Sequence, residues 1–251
     1  MANLLKGKIT LITGASGGIG SSISSYYLKE GATVILTDIR KTDREKELIK
    51  KSDKASYQTL DVTHKDDWEK AIGDIFHKFG KLNILVNNAG VFPEKLVPIY
   101  DVSNKNWQKL LNVDLTGNFF GMKYAMRAIK DKGGSLSIIN ISSTSGLAAQ
   151  ANLASYNAAK SGTRLLTKSA ALDAASNKLN IRVNSVHPGM IDTDMTRPLG
   201  KFRDQIEASI PMGEIGKPSD IAHICVYLGS DDSRYATGAE FTVDGGYTDM
   251  N

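Results

Sequence analysis

The chain alternates short β-type runs with longer amphipathic stretches, and this alternation limits its possible folds more than any other feature. One amphipathic stretch carries Trp68, Ile72, Ile75, Phe76 and Phe79 at helical spacing. The β-type runs are bounded mostly by Gly, Asn or Asp, and they cover residues 8–13, 33–38, 55–60, 82–87, 135–140, 181–186 and 240–244. Strands interleaved with helices predict repeated βαβ units and a parallel sheet covered on both faces.

The length of the chain leaves its domain organisation open. A sequence of 251 residues can form one large α/β domain or two small ones. No internal repeat, low-complexity segment or linker rich in Pro, Gly and Ser divides it. We therefore predict a single α/β domain over residues 1–251, a doubly wound (Rossmann) parallel sheet of about seven strands with helices on both faces.

Charge and hydropathy indicate neither a nucleic-acid partner nor a membrane partner. The net charge is +4, and the basic runs at 40–46 and 50–54 also contain acidic residues, which is typical of solvated helix faces. Residues 1–14 lack the architecture of a signal peptide, and no stretch approaches 18 consecutive apolar residues. We expect a cytoplasmic protein.

Cysteine and histidine content argues against a metal site. Cys225 is the only cysteine, which excludes an internal disulfide, and its apolar surroundings favour a buried, inert thiol. The histidines, His64, His77, His187 and His223, show no metal-ligand spacing. We predict no metal, and we interpret His187, at the end of a strand, as a structural residue.

A glycine-rich turn follows the first predicted strand. Gly14, Gly18 and Gly20 stand between that strand and a helical stretch, where glycines allow a tight turn and close approach to a pyrophosphate. Asp38 ends the next strand and can accept hydrogen bonds from an adenosine ribose, which favours NAD over NADP. Arg40 is the counter-argument, because a nearby arginine can hold a 2′-phosphate.

Tyr156 and Lys160 are four residues apart, so a helix would place them one turn apart on the same face. This spacing alone carries little weight, because chance produces about one such pair in a chain of this composition.

The glycine spacing Gly14-x-x-x-Gly18-x-Gly20 resembles that of the short-chain dehydrogenase/reductase family. Further family-like motifs follow in order along nearly the whole chain: Asp61-Val62, NNAG at 87–90, Asn112 in LLNVD, NISS at 140–143, SYNAAK at 155–160 and HPGMIDT at 187–193. The tail at 213–251 most resembles bacterial R-specific alcohol dehydrogenases and hydroxysteroid dehydrogenases of this family. Each motif is weak by itself, but together they make the resemblance strong.

The resemblance implies a catalytic tetrad of Asn112, Ser143, Tyr156 and Lys160. Tyr156 is expected to act as general acid/base, with Lys160 and the nicotinamide cation lowering its pKa. Ser143 is expected to hydrogen-bond the substrate oxygen, and family spacing favours it over Ser142. Asn112 is expected to hold a water linked to Lys160.

The same resemblance assigns cofactor contacts along the chain. They are Gly14, Ser16, Gly17, Gly18, Ile19, Gly20, Asp38, Asp61, Val62, Asn88, Ala89, Gly90, Tyr156, Lys160, Pro188, Gly189, Ile191 and Thr193. Some relatives hold a structural magnesium near the C-terminus, but this chain ends in Asn251 where glutamine is expected, so we do not predict the ion.

Substrate choice is expected to depend on a segment around 194–213, whose prolines, glycine and short amphipathic stretch fit a mobile lid. By analogy with the family, Leu147, Leu153 and Met190 should make the pocket apolar. This favours a ketone or a secondary alcohol with apolar substituents over a sugar.

Two alternatives to an NAD-dependent alcohol dehydrogenase or ketoreductase stay open. One is a 3-oxoacyl-thioester reductase that uses NADPH, although residues 15–17 carry no basic side chain. The other is a non-catalytic NAD-binding protein. The resemblance also implies a homotetramer built on helices at 103–130 and 154–177, with Tyr247 and Met250 of the tail packed in an interface. Apolar residues expected on the assembly surface are Leu110, Phe119, Phe120, Leu165 and Leu166.

Overall fold

Seven strands form one sheet in the order β3–β2–β1–β4–β5–β6–β7, and every neighbouring pair is parallel. The computed structural model describes residues 3–250, without the side chains of Pro198, Leu199, Lys201 and Met250. The strands are β1 (Ile9–Thr13), β2 (Thr33–Asp38), β3 (Ala55–Thr59), β4 (Ile84–Asn87), β5 (Leu136–Ile141), β6 (Ile181–Pro188) and β7 (Glu240–Val243). The predicted Rossmann-type fold is confirmed.

The helices connect successive strands, as the alternating pattern predicts. They are α1 (Gly18–Lys29), α2 (Asp43–Lys51), α3 (Lys65–Phe79), α4 (Asn104–Leu110), α5 (Gly117–Lys132), α6 (Ala154–Ser176), α7 (Arg203–Ala208) and α8 (Pro218–Gly229). A π-helical turn, Leu111–Thr116, joins α4 to α5, so the amphipathic stretch in this region is not one regular helix.

The sheet separates two hydrophobic layers. Side chains of α3, α5 and α6 cover one face, while side chains of α1 and α8 cover the other. Successive residues of β1 point to opposite layers, since Leu11 belongs to the first and Ile12 to the second. The predicted stripe on α3 lies in the first layer, with Trp68 fully buried. Burial on both faces explains why the inner strands are mostly apolar, whereas the edge strands β3 and β7 are only partly buried.

Only part of the expected assembly surface lies on the outside of the chain. Leu110 is fully buried, and Phe120 and Leu166 pack against the core. Phe119 and Leu165 do face outward, with 41% and 68% of their surface exposed. The interface expectation was therefore wrong for Leu110, because its side chain is fully buried inside the chain.

The structure also bears on the expectations for Cys225 and for membrane-spanning helices. Cys225 lies in the core, and burial raises the pKa of its thiol, as expected for an inert side chain. No helix within residues 3–250 is long and apolar enough to cross a membrane.

Candidate active site

A cleft of about 600 Å³ opens at the carboxyl ends of the parallel strands. At β1 the chain order reverses, because β2 lies on one side of this strand and β4 on the other. Open α/β sheets bind ligands in the crevice outside such a switch point. The position of the cleft therefore follows from the topology.

The cleft gathers nearly all of the residues expected to bind a cofactor. The expected residues that line it are Gly14, Gly17, Gly18, Ile19, Gly20, Asp38, Asp61, Val62, Asn88, Ala89, Gly90, Tyr156, Lys160, Pro188, Gly189, Ile191 and Thr193. Ser16 is the exception: its backbone N–H donates to Asp38 (3.1 Å) and its hydroxyl donates to Glu45. Ser16 therefore does not line the cleft, and its hydrogen bonds connect the glycine turn to Asp38 and Glu45.

The glycine turn is braced by the segment that follows β4. Gly14 has a φ of +62°, and a Cβ on this residue would lie 2.7 Å from the backbone of Ala89. The Asn88 side chain donates to the carbonyls of Thr13 (2.9 Å) and Gly14 (3.0 Å). The Thr13 hydroxyl accepts from the backbone N–H groups of Asn88 and Ala89. Only glycine fits this close, left-handed turn, which leaves backbone facing the cleft.

Two carboxylates meet at the β2 end of the cleft. Asp38 accepts from the backbone N–H groups of Ser16 and Ile39, so its side chain is held in place. Glu45, fully buried on α2, accepts from Ser16 and Thr42. Burial would raise the pKa of Glu45, but the hydrogen bonds from Ser16 and Thr42 outweigh it and hold the pKa below its usual value. The two carboxylates therefore bring negative charge to this end of the cleft.

Arginines lie close to the same end, but the nearest is already engaged. Arg44 donates to the carbonyl of Ser16 (3.1 Å) and to Asp194 (2.6 Å). Arg40 is exposed at the surface, and its carbonyl accepts from the Ser16 hydroxyl. The Arg44–Asp194 pair ties α2 to the start of the segment expected to form a lid.

Tyr156 and Lys160 lie one turn apart on α6, with Nζ of Lys160 5.6 Å from the centre of the Tyr156 ring. Nζ donates to the carbonyl of Ile141 (3.2 Å) and lies 3.1 Å from Oδ1 of Asp114. The Phe92 ring packs edge-on against Tyr156, with 5.1 Å between ring centres. The pair thus faces the cleft from a packed helix.

The two serines at the end of β5 point in different directions. The Ser142 hydroxyl is buried and donates to the carbonyl of Lys160 (3.0 Å), away from Tyr156. Both serines line the cleft, but it is the Ser143 side chain whose hydrogen bonding to Tyr156 favours the phenolate. This arrangement agrees with strand alternation and with the choice of Ser143.

The electrostatic surroundings of Tyr156 differ from the expectation. Burial raises its pKa above the usual value, Lys160 and Ser143 lower it, and Asp114 raises it again. Lys160 acts in the expected direction, but the net shift is upward, first because the phenol is buried and second because the Asp114 carboxylate opposes the lysine. The protein residues alone therefore do not lower the pKa of Tyr156.

Asn112 does not lie where the resemblance implied. Its side-chain oxygen accepts from Gln108 (2.7 Å), and the residue is absent from the cleft lining. Asp114, two residues further on, occupies the place beside Lys160. Residues that are two positions apart point to opposite sides of a helix. Choosing Asn112 instead of Asp114 therefore selects the side of the helix that faces away from Lys160. The charge of Asp114 between apolar Val113 and Leu115 was the signal that could have identified it.

His187 supports the serine loop. Its Nδ1 lies 3.1 Å from the carbonyl oxygen of Ser143, and its Nε2 lies 2.9 Å from the Ser185 hydroxyl. The side chain is fully buried, and burial lowers its pKa. The interpretation as a structural residue agrees with these contacts, but the contact with Ser143 was not anticipated.

The other end of the cleft is lined mainly by apolar side chains. Met190 lies there as expected, whereas Leu147 and Leu153 do not, and Leu153 is buried in the interior. Lining residues that were not expected there include Val91, Phe92, Gln150 and Tyr247, and the lining also includes Met195, Ile206 and Ile210. Met195, Ile206 and Ile210 come from the segment 194–213, which contains a 3₁₀ turn at Arg197–Phe202 and α7.

The C-terminal tail contacts this segment. The backbone N–H of Met212 donates to the carbonyl of Gly245 (3.1 Å), and Tyr247 lines the cleft. The side chain of Met250 and the whole of Asn251 lie outside the described residues. Within the described part of the chain, no group of three or more His, Cys, Asp or Glu side chains is arranged to hold a metal ion.

Comparison with known proteins shows which enzymes this chain resembles. The family model described as "Enoyl-(Acyl carrier protein) reductase" matches residues 14–248. The chain is 42% identical over 252 residues to the NADP-dependent (R)-specific alcohol dehydrogenase of Lentilactobacillus kefiri, covering 99% of each sequence. It is 39% identical to the 3-alpha-(or 20-beta)-hydroxysteroid dehydrogenase of Mycobacterium tuberculosis, covering 98% of this chain and 91% of the relative.

A solved structure gives the same result for the fold. The short-chain type dehydrogenase/reductase from Mycobacterium marinum superimposes with a TM-score of 0.91 and 32% identity, covering 98% of each chain. The resemblance to R-specific alcohol dehydrogenases and hydroxysteroid dehydrogenases is confirmed.

Proposed function

Because the chain belongs to the short-chain dehydrogenase/reductase family, whose matched relatives act on alcohols and ketones, we propose that it is an NAD-dependent alcohol dehydrogenase or ketoreductase. It transfers a hydride between NAD(H) and a secondary alcohol or ketone with apolar substituents. The observation that carries this proposal is the convergence of Ser143, Tyr156 and Lys160 at one side of the cleft.

The proposed proton chemistry uses Tyr156. In the direction of reduction its hydroxyl donates a proton to the substrate oxygen, and in oxidation the phenolate accepts one. Ser143 donates a hydrogen bond to the same oxygen and stabilises its negative charge. The nicotinamide, when bound, supplies or accepts the hydride.

Lys160 holds the charge that this chemistry needs. Its ammonium has three N–H donors, and contacts with Asp114 and Ile141 use two of them. We assign the third donor to the cofactor ribose. Asp114 takes the place beside Lys160 that the family resemblance gave to Asn112.

Asp38 is the main support for NAD. Its fixed carboxylate and that of Glu45 would repel a 2′-phosphate at the β2 end of the cleft. Arg44 is occupied by Ser16 and Asp194. The competing observation is the NADP dependence in the name of the Lentilactobacillus kefiri relative, together with the exposed Arg40.

The proposals for the substrate class and for the lid depend on the apolar residues that line the cleft. Phe92, Met190, Ile206 and Ile210 offer apolar contact in the cleft, and the Phe92 ring packs edge-on against Tyr156. We propose that residues 194–213 close over the substrate as a lid. The Arg44–Asp194 ion pair would hold the first residues of this segment in place. The hydrogen bond from Met212 to Gly245 of the tail would hold its last residues.

We further propose that residues 1–251 form one domain and assemble as a homotetramer. Leu165 and Leu172 are seven residues apart on α6, so they share a face, and each has 68% of its surface exposed. Phe119 on α5 is also exposed. Large apolar side chains exposed on neighbouring helices are typical of association surfaces.

The function is tested by assaying the purified protein with a panel of apolar ketones, secondary alcohols and a 3-oxoacyl thioester, with NADH or NADPH for reduction and NAD⁺ or NADP⁺ for the alcohols. We expect turnover that Tyr156→Phe lowers by about 10²-fold or more while NADH still binds. Tyr235→Phe, at an exposed tyrosine, is the matched control. NADH binding without turnover of any substrate would instead support a non-catalytic protein, and turnover confined to 3-oxoacyl thioesters with NADPH would support the reductase of fatty-acid synthesis.

A further inference from the structure

Asp114 and Lys160 form an ion pair unlike any other among the described residues. Its two side chains are 0% and 5% exposed, whereas at least one partner of every other described pair is substantially open to solvent. Burying two charges is costly, so such a pair needs a reason beyond stability.

The fold holds the Asp114 carboxylate firmly. Both carboxylate oxygens are within reach of the backbone N–H of Val91, at 3.1 and 3.3 Å. In the π-helical turn, the Asp114 carbonyl accepts from side chains of Asn118 and Thr163, each at 2.8 Å. π-Turns of this kind are frequent at functional sites.

Gly90 provides the space for this pair. A Cβ at residue 90 would lie 2.5 Å from Oδ1 of Asp114 and 3.3 Å from Nζ of Lys160. The glycine that was expected to bind a cofactor therefore also leaves room for the carboxylate. The position of Asp114 is built by three separate segments: the turn that carries it, the loop after β4 and α6.

Few charges act on Tyr156 besides this pair. Lys160 on α6 favours the phenolate, and Asp114 in the π-helical turn opposes it. From the end of β6 comes His187, whose lowered pKa keeps it neutral near pH 7. On the side of α4, Lys109 lines the cleft and is paired with Glu94 (3.0 Å).

From this geometry we propose that Asp114 is a positioning residue that fixes Lys160 and raises the pH at which Tyr156 exchanges its proton. The proposal rests on the general acid/base role given to Tyr156 above. A lone ammonium near the ring would stabilise the phenolate strongly, while an ammonium paired with a carboxylate does so only weakly. The enzyme thereby keeps its tyrosine protonated, ready to donate, up to a higher pH.

The test is Asp114→Asn, which removes the charge and nearly preserves the shape. The acidic limb of the pH profile of kcat/KM for alcohol oxidation reports ionisation of the base in the free enzyme. We expect this limb to move to lower pH by about half a unit or more, since one charge within a few ångströms is removed. Asp131→Asn, at an exposed pair with Arg127, makes the same chemical change and should leave the limb in place.

A direct titration separates this proposal from the proposed function. Tyrosinate absorbance is followed against pH in the Asp114→Asn protein and the wild type, and each is corrected with the spectrum of its own Tyr156→Phe version. A lower midpoint for Tyr156 in Asp114→Asn supports the proposal even if no substrate is turned over. An unchanged or higher midpoint overturns it, as does lost activity with an unmoved pH limb. If Asp114→Asn does not fold, Asp114→Ser removes the same charge and is judged by the same outcomes.

Discussion

Nδ1 of His187 lies 3.1 Å from the backbone carbonyl oxygen of Ser143. A carbonyl only accepts, so Nδ1 carries the proton, and Nε2 of the neutral ring accepts from the Ser185 hydroxyl. Burial lowers the pKa of His187, which favours this neutral form. The ring therefore links the end of β6 to the loop that presents Ser143 to the cleft.

Loss of this link should slow catalysis more than it weakens cofactor binding. His187→Ala leaves the Ser143 carbonyl without its donor, and we expect kcat to fall about tenfold or more through misplacement of the serine. His187→Asn keeps an amide donor and should retain more activity. The measurements are kcat and the Kd for NADH, with His64→Ala at an exposed histidine as control. Full kcat in His187→Ala would contradict this role.

The same residue should make stability depend on pH. Because the folded protein lowers the pKa of His187, the unfolded chain binds a proton more readily below its ordinary pKa of about 6.5. The contribution to stability is present above that pH and declines as the pH falls toward the lower folded value. Chemical denaturation at several pH values should show a flatter acid decline for His187→Asn than for the wild type, and parallel declines would count against the assignment.

Substitution of the two serines should affect different properties of the protein: kcat for Ser143 and stability for Ser142. Ser143→Ala removes the hydroxyl that faces Tyr156, and we expect kcat to fall by about 10²–10³-fold. Ser142→Ala removes only a hydrogen bond to the carbonyl of Lys160, so we expect a loss of stability with most of kcat retained. Steady-state kinetics and thermal unfolding of both variants give the comparison. The reverse pattern would transfer the role to Ser142.

Cofactor preference should depend on Asp38. We expect the wild type to have a lower KM for NADH than for NADPH, because the carboxylate repels the 2′-phosphate. Asp38→Ser should relax or invert this preference, since the like-charge repulsion is removed while Arg40 remains nearby. Asp43→Ser on the exposed start of α2 is a control for the loss of one negative charge. A wild type that already prefers NADPH would refute the interpretation of Asp38.

Assembly should depend on the exposed face of α6. We expect light scattering after size exclusion to give a mass about four times that of the 27.2 kDa chain. Leu165→Glu combined with Leu172→Glu places charges on that face and should produce smaller species. Lys178→Glu, just beyond the same helix, serves as the charge control. A wild-type mass near that of one chain would reject the proposal.

Much of the fold could be predicted because it depends on local patterns. All seven strands were found, with ends that differ from the predicted ones by at most two residues, since buried parallel strands read as apolar runs. The glycine turn, Asp38 and the Tyr156–Lys160 spacing likewise depend on neighbours close in the chain. The choice of Ser143 over Ser142 came from the family spacing between the serine and the tyrosine.

Tertiary structure decided what those patterns leave open. The family resemblance pointed to Asn112, but the packing of the π-helical turn against α6 brings Asp114 to Lys160. Leu110 and Leu165 are both apolar helix residues, yet one is fully buried and the other is exposed. The direction in which the pKa of Tyr156 shifts also depends on groups far apart in the chain. A sequence encodes which residues share a helix or strand face, but the distance between two charges is set by how separate elements pack, and electrostatic effects depend on that distance.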